Sequence, residues 1–233
     1  MGSPTGGNLA PAGRVEPGSM KTLIWTATAA LALALPAAAD DHPRVRSLSG
    51  DFATAGIERV ELRLPPGSVR IEPSLDGRLR VELGVHCSFD DSRCEERAAD
   101  LDLESSRHGN TLEVRVNGMS GMSSLRFHIR GRILVPQGKA LEVDIPAGEL
   151  TIKGVRGDLT VDVGAGEVAI TLHEVDVRSV RLGVGIGEAS LSVAGRNIDG
   201  SGWLGQRVRW GEGTGASRVA VNLGVGELDV TLD

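Results

Sequence analysis

Apolar and polar residues alternate along most of the chain between residues 59 and 135. Runs with this period of two predict β-strands. They occur at residues 60–64, 69–71, 78–87, 112–116 and 125–135. Because one side of each run is apolar and the other is charged, the pattern predicts a sheet with one buried face and one face in water.

A repeat begins at residue 141. Each copy has an alternating run, a corner of the form Gly-x-Gly-Glu, and a second alternating run, and the first copy is a weaker match. The second glycine and the glutamate of the corners are Gly148 and Glu149, Gly166 and Glu167, Gly187 and Glu188, and Gly226 and Glu227. Glycine suits a corner because it tolerates positive φ and a close backbone approach. A unit of about 20 residues buries its apolar face only against the next unit, so the repeat predicts an all-β, β-solenoid-like stack of short strands with glycine corners.

The spacing of the repeat is uneven. Successive corner glycines are 18, 21 and 39 residues apart, and the last step is close to two units. We therefore expect a degenerate unit that contains Trp203 and Trp210, with Gly211 and Glu212 as its corner. A Gly-x-Gly loop that binds a nucleotide opens a helix, whereas each of these corners opens a strand, so a nucleotide site is not expected.

Two interpretations of the corner glutamates are open. A stacked acidic column could bind a cation, whereas solvated carboxylates would accept hydrogen bonds from the turn. The uneven spacing argues against stacking of all four glutamates. The solvated interpretation is therefore preferred.

The N-terminal residues are expected to lie outside the fold. Residues 1–19 have the composition of a disordered leader or tag. Residues 20–39 have the charged start, apolar run and Ala-x-Ala end of a signal peptide. Cleavage after Ala39 would place the mature protein in the periplasm or outside the cell, and no later segment is apolar enough to span a membrane.

The mature chain is expected to form one domain. Residues 40–46 would be a flexible N-terminus and residues 47–233 a single β-repeat domain. Within it, residues 47–140 form an N-terminal part and residues 141–233 contain the glycine corners.

Cys87 and Cys94 are the two cysteines of the chain. In an oxidising compartment they are interpreted first as a disulfide. Cys87 ends a predicted strand on its core side, and Ser92 is placed to cap a short helix near residues 92–101, so the bridge would join strand to helix. Free thiols and a metal site are the alternatives. Adjacent strand residues point to opposite faces, so His86 and Cys87 cannot converge on a metal without a bulge.

A copper site is a separate hypothesis for the cleaved N-terminus. The mature chain would begin with Asp40, Asp41 and His42. Its free amine, two backbone amides and the His42 imidazole provide the square-planar nitrogen set that Cu(II) prefers. An unrelated histidine at a disordered end is the alternative and is preferred. No other cofactor is expected.

Composition and charge limit the function further. The formal net charge is −6, so the chain has no overall attraction for nucleic acid. Aromatic residues make up only 3% of the chain, which argues against a cleft that stacks on sugars. A row of basic residues from Arg126 to Arg132 could bind anions, but a solvated strand face balanced by neighbouring acids is the preferred interpretation.

The sequence contains neither His-Glu-x-x-His nor Gly-x-Ser-x-Gly, and no catalytic residue is assigned. A β-solenoid enzyme that degrades polysaccharides is the catalytic alternative. It would require acids such as Asp162, Asp176 and Asp229 to meet in one groove.

The signal peptide, the segment from Cys87 to Cys94 and the recurrent Gly-x-Gly-Glu units together resemble a bacterial family, the "putative adhesin" or toast-rack domains of unknown function. The resemblance covers about residues 47–232. It implies a right-handed β-solenoid-like stack at the cell envelope, with no established enzymatic activity and no catalytic residues to transfer. Some relatives are proposed to act beside envelope-stress regulators.

We therefore expect a noncatalytic exported protein of the cell envelope, an adhesin-like scaffold or interaction module. A periplasmic regulatory or ligand-binding module of an envelope-stress system is the first alternative, and the polysaccharide-degrading enzyme is the second. The expected partner is an envelope protein or a surface polymer, and self-association is left open.

Overall fold

The computed structural model describes residues 44–87, 93–118, 127–200, 202 and 204–233. Strands make up 71% of these residues, which confirms the all-β class, and they form an open sheet. In the part of the chain that is described, no helix is both long and apolar enough to cross a membrane.

The strands are β1 Arg44–Phe52, β2 Arg59–Arg63, β3 Gly67–Pro73, β4 Leu79–Cys87, β5 Asp102–His108, β6 Thr111–Asn117, β7 Phe127–Val135, β8 Ala140–Lys153, β9 Leu159–Leu172, β10 Val177–Val193, β11 Arg196–Asp199, β12 Leu204–Trp210 and β13 Ser217–Leu232. A short helix, α1, spans Cys94–Ala98, and a 3-10 turn at Glu174–Asp176 precedes β10.

Four long parallel strands, β8, β9, β13 and β10, lie side by side and carry the repeat. Each strand bends at its corner glycine, so it has a first arm before the corner and a second arm after it. We call the two arms together a rung. The corner glycines align in register, because Gly166 faces Gly148 on one side and Gly226 on the other, and Gly226 also faces Gly187.

The bend directs the apolar side chains of both arms into one core. The buried residues of β9 are Leu159, Val161 and Val163 before the corner, and Val168, Ile170 and Leu172 after it. The step from Val163 to Val168 is odd, so a straight strand would place the two sets on opposite faces. Short connections at 154–158 and 173–176 lead from the end of one rung to the start of the next. The two arms therefore face each other across a single hydrophobic cluster.

β2 and β3 form a fifth rung. β2 pairs in parallel with the first arm of β8, β3 pairs with its second arm, and Gly67 aligns with Gly148. The sequence conceals this rung because Pro65 and Pro66 precede the glycine and Ser68 stands in the position of the glutamate.

The rungs do not follow the order of the chain, because β13 lies between β9 and β10. β12 and β11 run antiparallel along the first and second arms of β10 and cover its other edge. The segment with Trp210 is therefore not a rung, and the expected corner at Gly211 and Glu212 is wrong, since these residues follow the end of β12 and belong to no strand. Trp203 lies outside the described residues.

The N-terminal part extends each arm with one parallel strand, β6 beside β2 and β7 beside β3, and then with antiparallel strands. β7, β4 and β1 continue the second arm beyond β3, and β6 and β5 continue the first arm beyond β2. β1 and β5 were not predicted from the sequence. They are edge strands in which only Leu48 is buried, so they lack a clear apolar period.

α1 is shorter than the helix expected near residues 92–101. The N–H groups of Asp100 and Leu101 bond to the carbonyls of Arg97 and Ala98, three residues back, so the last turn tightens. Leu101 thereby enters the core and the chain passes into β5. The N-cap position is Arg93, without a side-chain capping bond, and Ser92 lies outside the described residues.

Candidate functional site

Each corner glycine lies against the backbone of the neighbouring rung. The φ angles are 134° at Gly148, 137° at Gly166, 129° at Gly187 and 137° at Gly226. A Cβ atom on Gly166 would overlap the carbonyl oxygen of Gly148, and one on Gly226 would overlap that of Gly166. Both the backbone conformation and the contact therefore require glycine at the corner.

The corner glutamates form one in-register column. Glu167 faces Glu149 on one side and Glu227 on the other, and Glu227 faces Glu188. Neighbouring strands are about 4.8 Å apart. The expectation that uneven spacing prevents stacking is wrong, because the additional residues of the 39-residue step form β11 and β12, which leave the repeat register intact.

All four corner glutamates are exposed. Carboxylates side by side on adjacent strands repel one another, and water screens part of that repulsion. Among the residues that the structure describes, no three His, Cys, Asp or Glu side chains are grouped so as to hold a metal ion. That these carboxylates are solvated and hold no cation stays a prediction.

An apolar column runs beside the glutamates. Ala147, Ala165, Val225 and Ile186 precede the corner glycines and align in register, and Leu204 of β12 extends the row beyond Ile186. The exposed fractions of Ile186, Val225 and Leu204 are 46%, 48% and 58%. We call these five residues together with Glu149, Glu167, Glu227 and Glu188 the corner ridge. The sequence analysis identified the four glutamates as corner residues, but it did not predict their alignment or the apolar row beside them.

The basic row of β7 is partly neutralised. Arg132 Nε donates a hydrogen bond to Glu72 Oε2 at 2.6 Å, and Arg130 faces Ser68 at the end of the glutamate column. Arg126 lies outside the described residues. The pairing of Arg132 agrees with the interpretation of a solvated face balanced by acids.

The three acids considered for catalysis do not meet. Asp162 lies on the first arm of β9 and accepts a hydrogen bond from Asn222 Nδ2 at 2.8 Å. Asp176 lies in the connection before β10 and accepts one from Arg156 Nε at 3.0 Å. Asp229 lies on the second arm of β13 and bonds to Ser190. They therefore do not form the shared groove that the polysaccharide-degrading hypothesis requires.

A groove of about 610 Å³ lies at the ends of β3 and β8. Pro73, Leu75 and Leu134 provide its apolar lining, and Lys153 and His173 lie at its polar side. The His173 Nδ1 atom is 3.0 Å from Asp233 Oδ1. A groove with an apolar lining and a few charged groups can hold a small amphiphilic ligand.

The remaining predicted site residues lie apart from the corner ridge. Cys87 at the end of β4 and Cys94 at the start of α1 form a disulfide, with their Cα atoms 5.9 Å apart. His42 lies outside the described residues, and the copper site there stays a prediction.

No family model matches the chain, and no curated protein matches it. Several solved structures are similar. A "putative cell adhesion protein" from Clostridium sporogenes is 11% identical, with 81% of this chain and 99% of that chain covered at a TM-score of 0.47. A "putative adhesin" from Bacteroides fragilis is 9% identical, with coverage of 79% and 97% and a TM-score of 0.26. A "putative lipid binding protein" from Parabacteroides distasonis is 7% identical, with coverage of 81% and 97% and a TM-score of 0.22.

The structural neighbours include adhesin-type proteins. They carry the same kind of name as the family that the sequence resembles.

Proposed function

We propose that this chain is a noncatalytic, adhesin-like interaction protein of the cell envelope that binds a partner protein along its corner ridge. The observation that carries the proposal is the register of the corners. It sets an apolar row, exposed at Ile186, Val225 and Leu204, directly beside an exposed acidic row over neighbouring rungs. A contiguous exposed apolar patch on a soluble protein marks a site of interaction.

The two rows specify the chemistry of the partner. Ile186, Val225 and Leu204 would pack against apolar side chains, and the glutamates beside them would attract Lys and Arg. The ridge lies on bent strands whose glycines hold one backbone against the next. Such a rigid surface loses little conformational entropy on binding.

The disulfide supports export to an oxidising compartment. We infer a mature chain that begins at Asp40, with residues 47–233 as one domain in the periplasm or outside the cell. We also infer that the parallel rungs act as a short β-solenoid-like stack although β13 lies out of chain order. Its right-handed sense stays a prediction.

The separation of Asp162, Asp176 and Asp229 supports a noncatalytic function. The regulatory or ligand-binding alternative has a specific location, the groove at Pro73, Leu75 and Lys153. A small ligand bound there would be displaced by Leu75→Glu and not by a change on the corner ridge.

Site-specific photo-cross-linking in the native host tests the proposal. A benzoylphenylalanine at Val225 should give a discrete adduct with a second protein. The same group at Val175, which is 74% exposed in the 3-10 turn away from the ridge, is the matched control and should give none. Equal adducts at both positions, or none at Val225, would contradict the proposal. An adduct with a second copy of this chain would show self-association instead.

Purified components then separate binding from catalysis. Val225→Ser and Ile186→Ser should each weaken binding of the cross-linked partner at least about fivefold, and Val175→Ser should not. Turnover of an envelope glycan by the wild-type protein would favour the enzyme alternative.

A further inference from the structure

Four arginines form a basic surface on the outer face of the first arms. Arg181 of β10 faces Arg209 of β12 on one side and Ala220 of β13 on the other. Arg207 faces Gly183, and Arg218 faces Ser179. All four arginines are exposed. We call Arg181, Arg207, Arg209 and Arg218 the arginine platform.

The guanidinium groups of the platform form no ion pair with the residues that the structure describes. Within the described ranges, no carboxylate lies within 4.0 Å of any of its four guanidinium groups. Two acids lie near the platform, Asp162 on β9 and Asp158 just before it, and their hydrogen bonds are to other groups than the guanidinium groups. Asp162 accepts a hydrogen bond from the Asn222 side chain at 2.8 Å, and Asp158 accepts one from the backbone N–H of Arg218 at 2.8 Å.

This arrangement is unfavourable for the isolated protein. Arg181 and Arg209 are direct cross-strand neighbours, and like charges in that position destabilise a sheet. Several other strand arginines, among them Arg63, Arg115 and Arg132, have a carboxylate partner. Arg115 lies 2.8 Å from Glu104, and Arg63 lies 3.1 Å from Glu113. An anion that is not part of this chain would relieve the repulsion on the platform.

The shape of the platform restricts the kind of anion. Small residues, Gly183, Ser179 and Ala220, stand between the arginines, so the guanidinium groups rise from an open, flat surface. Trp210 of β12 is buried, and none of the described platform residues offers a ring for stacking a nucleotide base. Nor does the platform contain a large apolar side chain that would anchor a protein or enter a lipid bilayer.

We propose that the arginine platform binds an anionic polysaccharide through its carboxylate or sulfate groups. Guanidinium groups form bidentate hydrogen bonds with such groups, which lysine cannot do. The chain contains only Lys139 and Lys153 as lysines after residue 39, so its exposed positive charge is carried almost entirely by arginine. Neighbouring arginines on paired strands, with Cβ atoms about 5 Å apart, can clamp one anionic group between them. This site goes beyond the protein-binding corner ridge.

Binding to immobilised heparin and polygalacturonate, with neutral dextran as the control polymer, tests the site. At an ionic strength of about 0.15 M, the mature protein should bind at least one of the two anionic polymers and not dextran. Arg181→Gln and Arg209→Gln should each weaken binding at least about tenfold, the change expected from one lost charge-assisted contact. Arg181→Lys should recover only part of the loss because the charge remains without the planar fork.

Arg115→Gln is the matched control, since it removes the same charge from an exposed arginine that already has a partner. It should change the affinity less than about twofold. An equal loss in this variant would overturn the proposal in favour of nonspecific attraction, and so would a lack of binding to both anionic polymers. Val225→Ser should leave polysaccharide binding unchanged. The proposal of a protein-binding ridge and the proposal of a polysaccharide-binding platform are therefore tested separately.

Vesicles of phosphatidylglycerol and phosphatidylcholine provide the last arm of the test. The platform should not retain the protein on them. Vesicle binding as strong as polymer binding, lost in the same arginine variants, would overturn the assignment to polysaccharide and identify a membrane surface instead.

Discussion

The arginines of the N-terminal part and those of the arginine platform differ in their partners. The pairs that involve the N-terminal part are Arg59 with Glu142, Arg63 with Glu113, Arg78 with Asp51, Arg80 with Asp76, Arg115 with Glu104, and Arg132 with Glu72. The platform arginines, on β10, β12 and β13, lack such partners among the described residues. These six arginines of the N-terminal part are thus neutralised by acids of the protein itself, whereas the four platform arginines leave their charge available to a ligand.

The corners of the two regions also differ in the side chains that they carry. At the rung formed by β2 and β3, Pro65 and Pro66 precede the corner glycine and Ser68 replaces the glutamate. At the later rungs the corner exposes glutamates and, at Ile186 and Val225, large apolar side chains. The corner ridge and the arginine platform therefore both lie on the repeat strands and on β12 beside them. Four experiments test this difference between the regions.

The largest expected effect is at a corner glycine of the repeat. Gly166→Ala should lower the free energy of unfolding by about 3 kcal/mol, because it combines backbone strain with overlap on the Gly148 carbonyl. Gly138→Ala is the control. It has a φ of 74° with no atom within 4 Å of its Cβ position, so it should lose only about 1 kcal/mol. Urea unfolding measures both, and equal losses would contradict the close contact between rungs.

The disulfide should matter next, and only for the N-terminal part. A Cys87→Ser and Cys94→Ser double variant should lose about 2.5 kcal/mol in the chain-entropy account of a short loop. Native-state hydrogen exchange should then show faster exchange in β4 and α1. The amides of β9 and β13 should keep the protection of the wild-type protein. Uniform acceleration across all strands would show that the two regions unfold as one unit.

A smaller effect of opposite sign is expected in the glutamate column. Glu167→Gln should raise the free energy of unfolding by up to about 1 kcal/mol, because it removes repulsion from both neighbouring rungs. The gain should shrink as salt is added. Glu142→Gln, on another rung and paired with Arg59 at 3.1 Å, should give no gain. A loss at Glu167→Gln that appears only with calcium would instead support the cation-binding column.

The smallest effect is the pH dependence of an N-terminal ion pair. The hydrogen bond from Arg115 lowers the pKa of Glu104. The pair therefore stabilises the fold above the unfolded pKa of about 4.3, and this contribution is lost as the pH falls through the lower, folded value. In the Arg115→Gln variant, the urea midpoint should therefore fall less on acidification than it does in the wild-type protein. Arg181→Gln, which breaks no pair, should retain the wild-type profile, and a matching change in both variants would contradict the difference between the regions.

The sequence predicts elements whose signal is local. The strands of 78–87 and 112–116 alternate cleanly, and the structure places β4 and β6 there. The edge strands β1 and β5 bury too few side chains to show a period. Leu204 and the arginine platform were also missed, because each depends on the pairing of β10 with β12, a strand outside the repeat.

The corners, the alternating arms and the cysteine pair could be predicted from the sequence. Only glycine accepts both the positive φ and the close backbone approach that a corner needs, so the repeat is visible without a structure. Which rungs are neighbours is seen only in the tertiary structure. Parallel rungs offer the same backbone hydrogen bonds to any neighbour, so the repeat cannot fix their order. That order depends on long-range strand pairing. β11 and β12 pair with one edge of β10, and this pairing places Arg209 beside Arg181. β13 pairs with the other edge and places Glu227 beside Glu188.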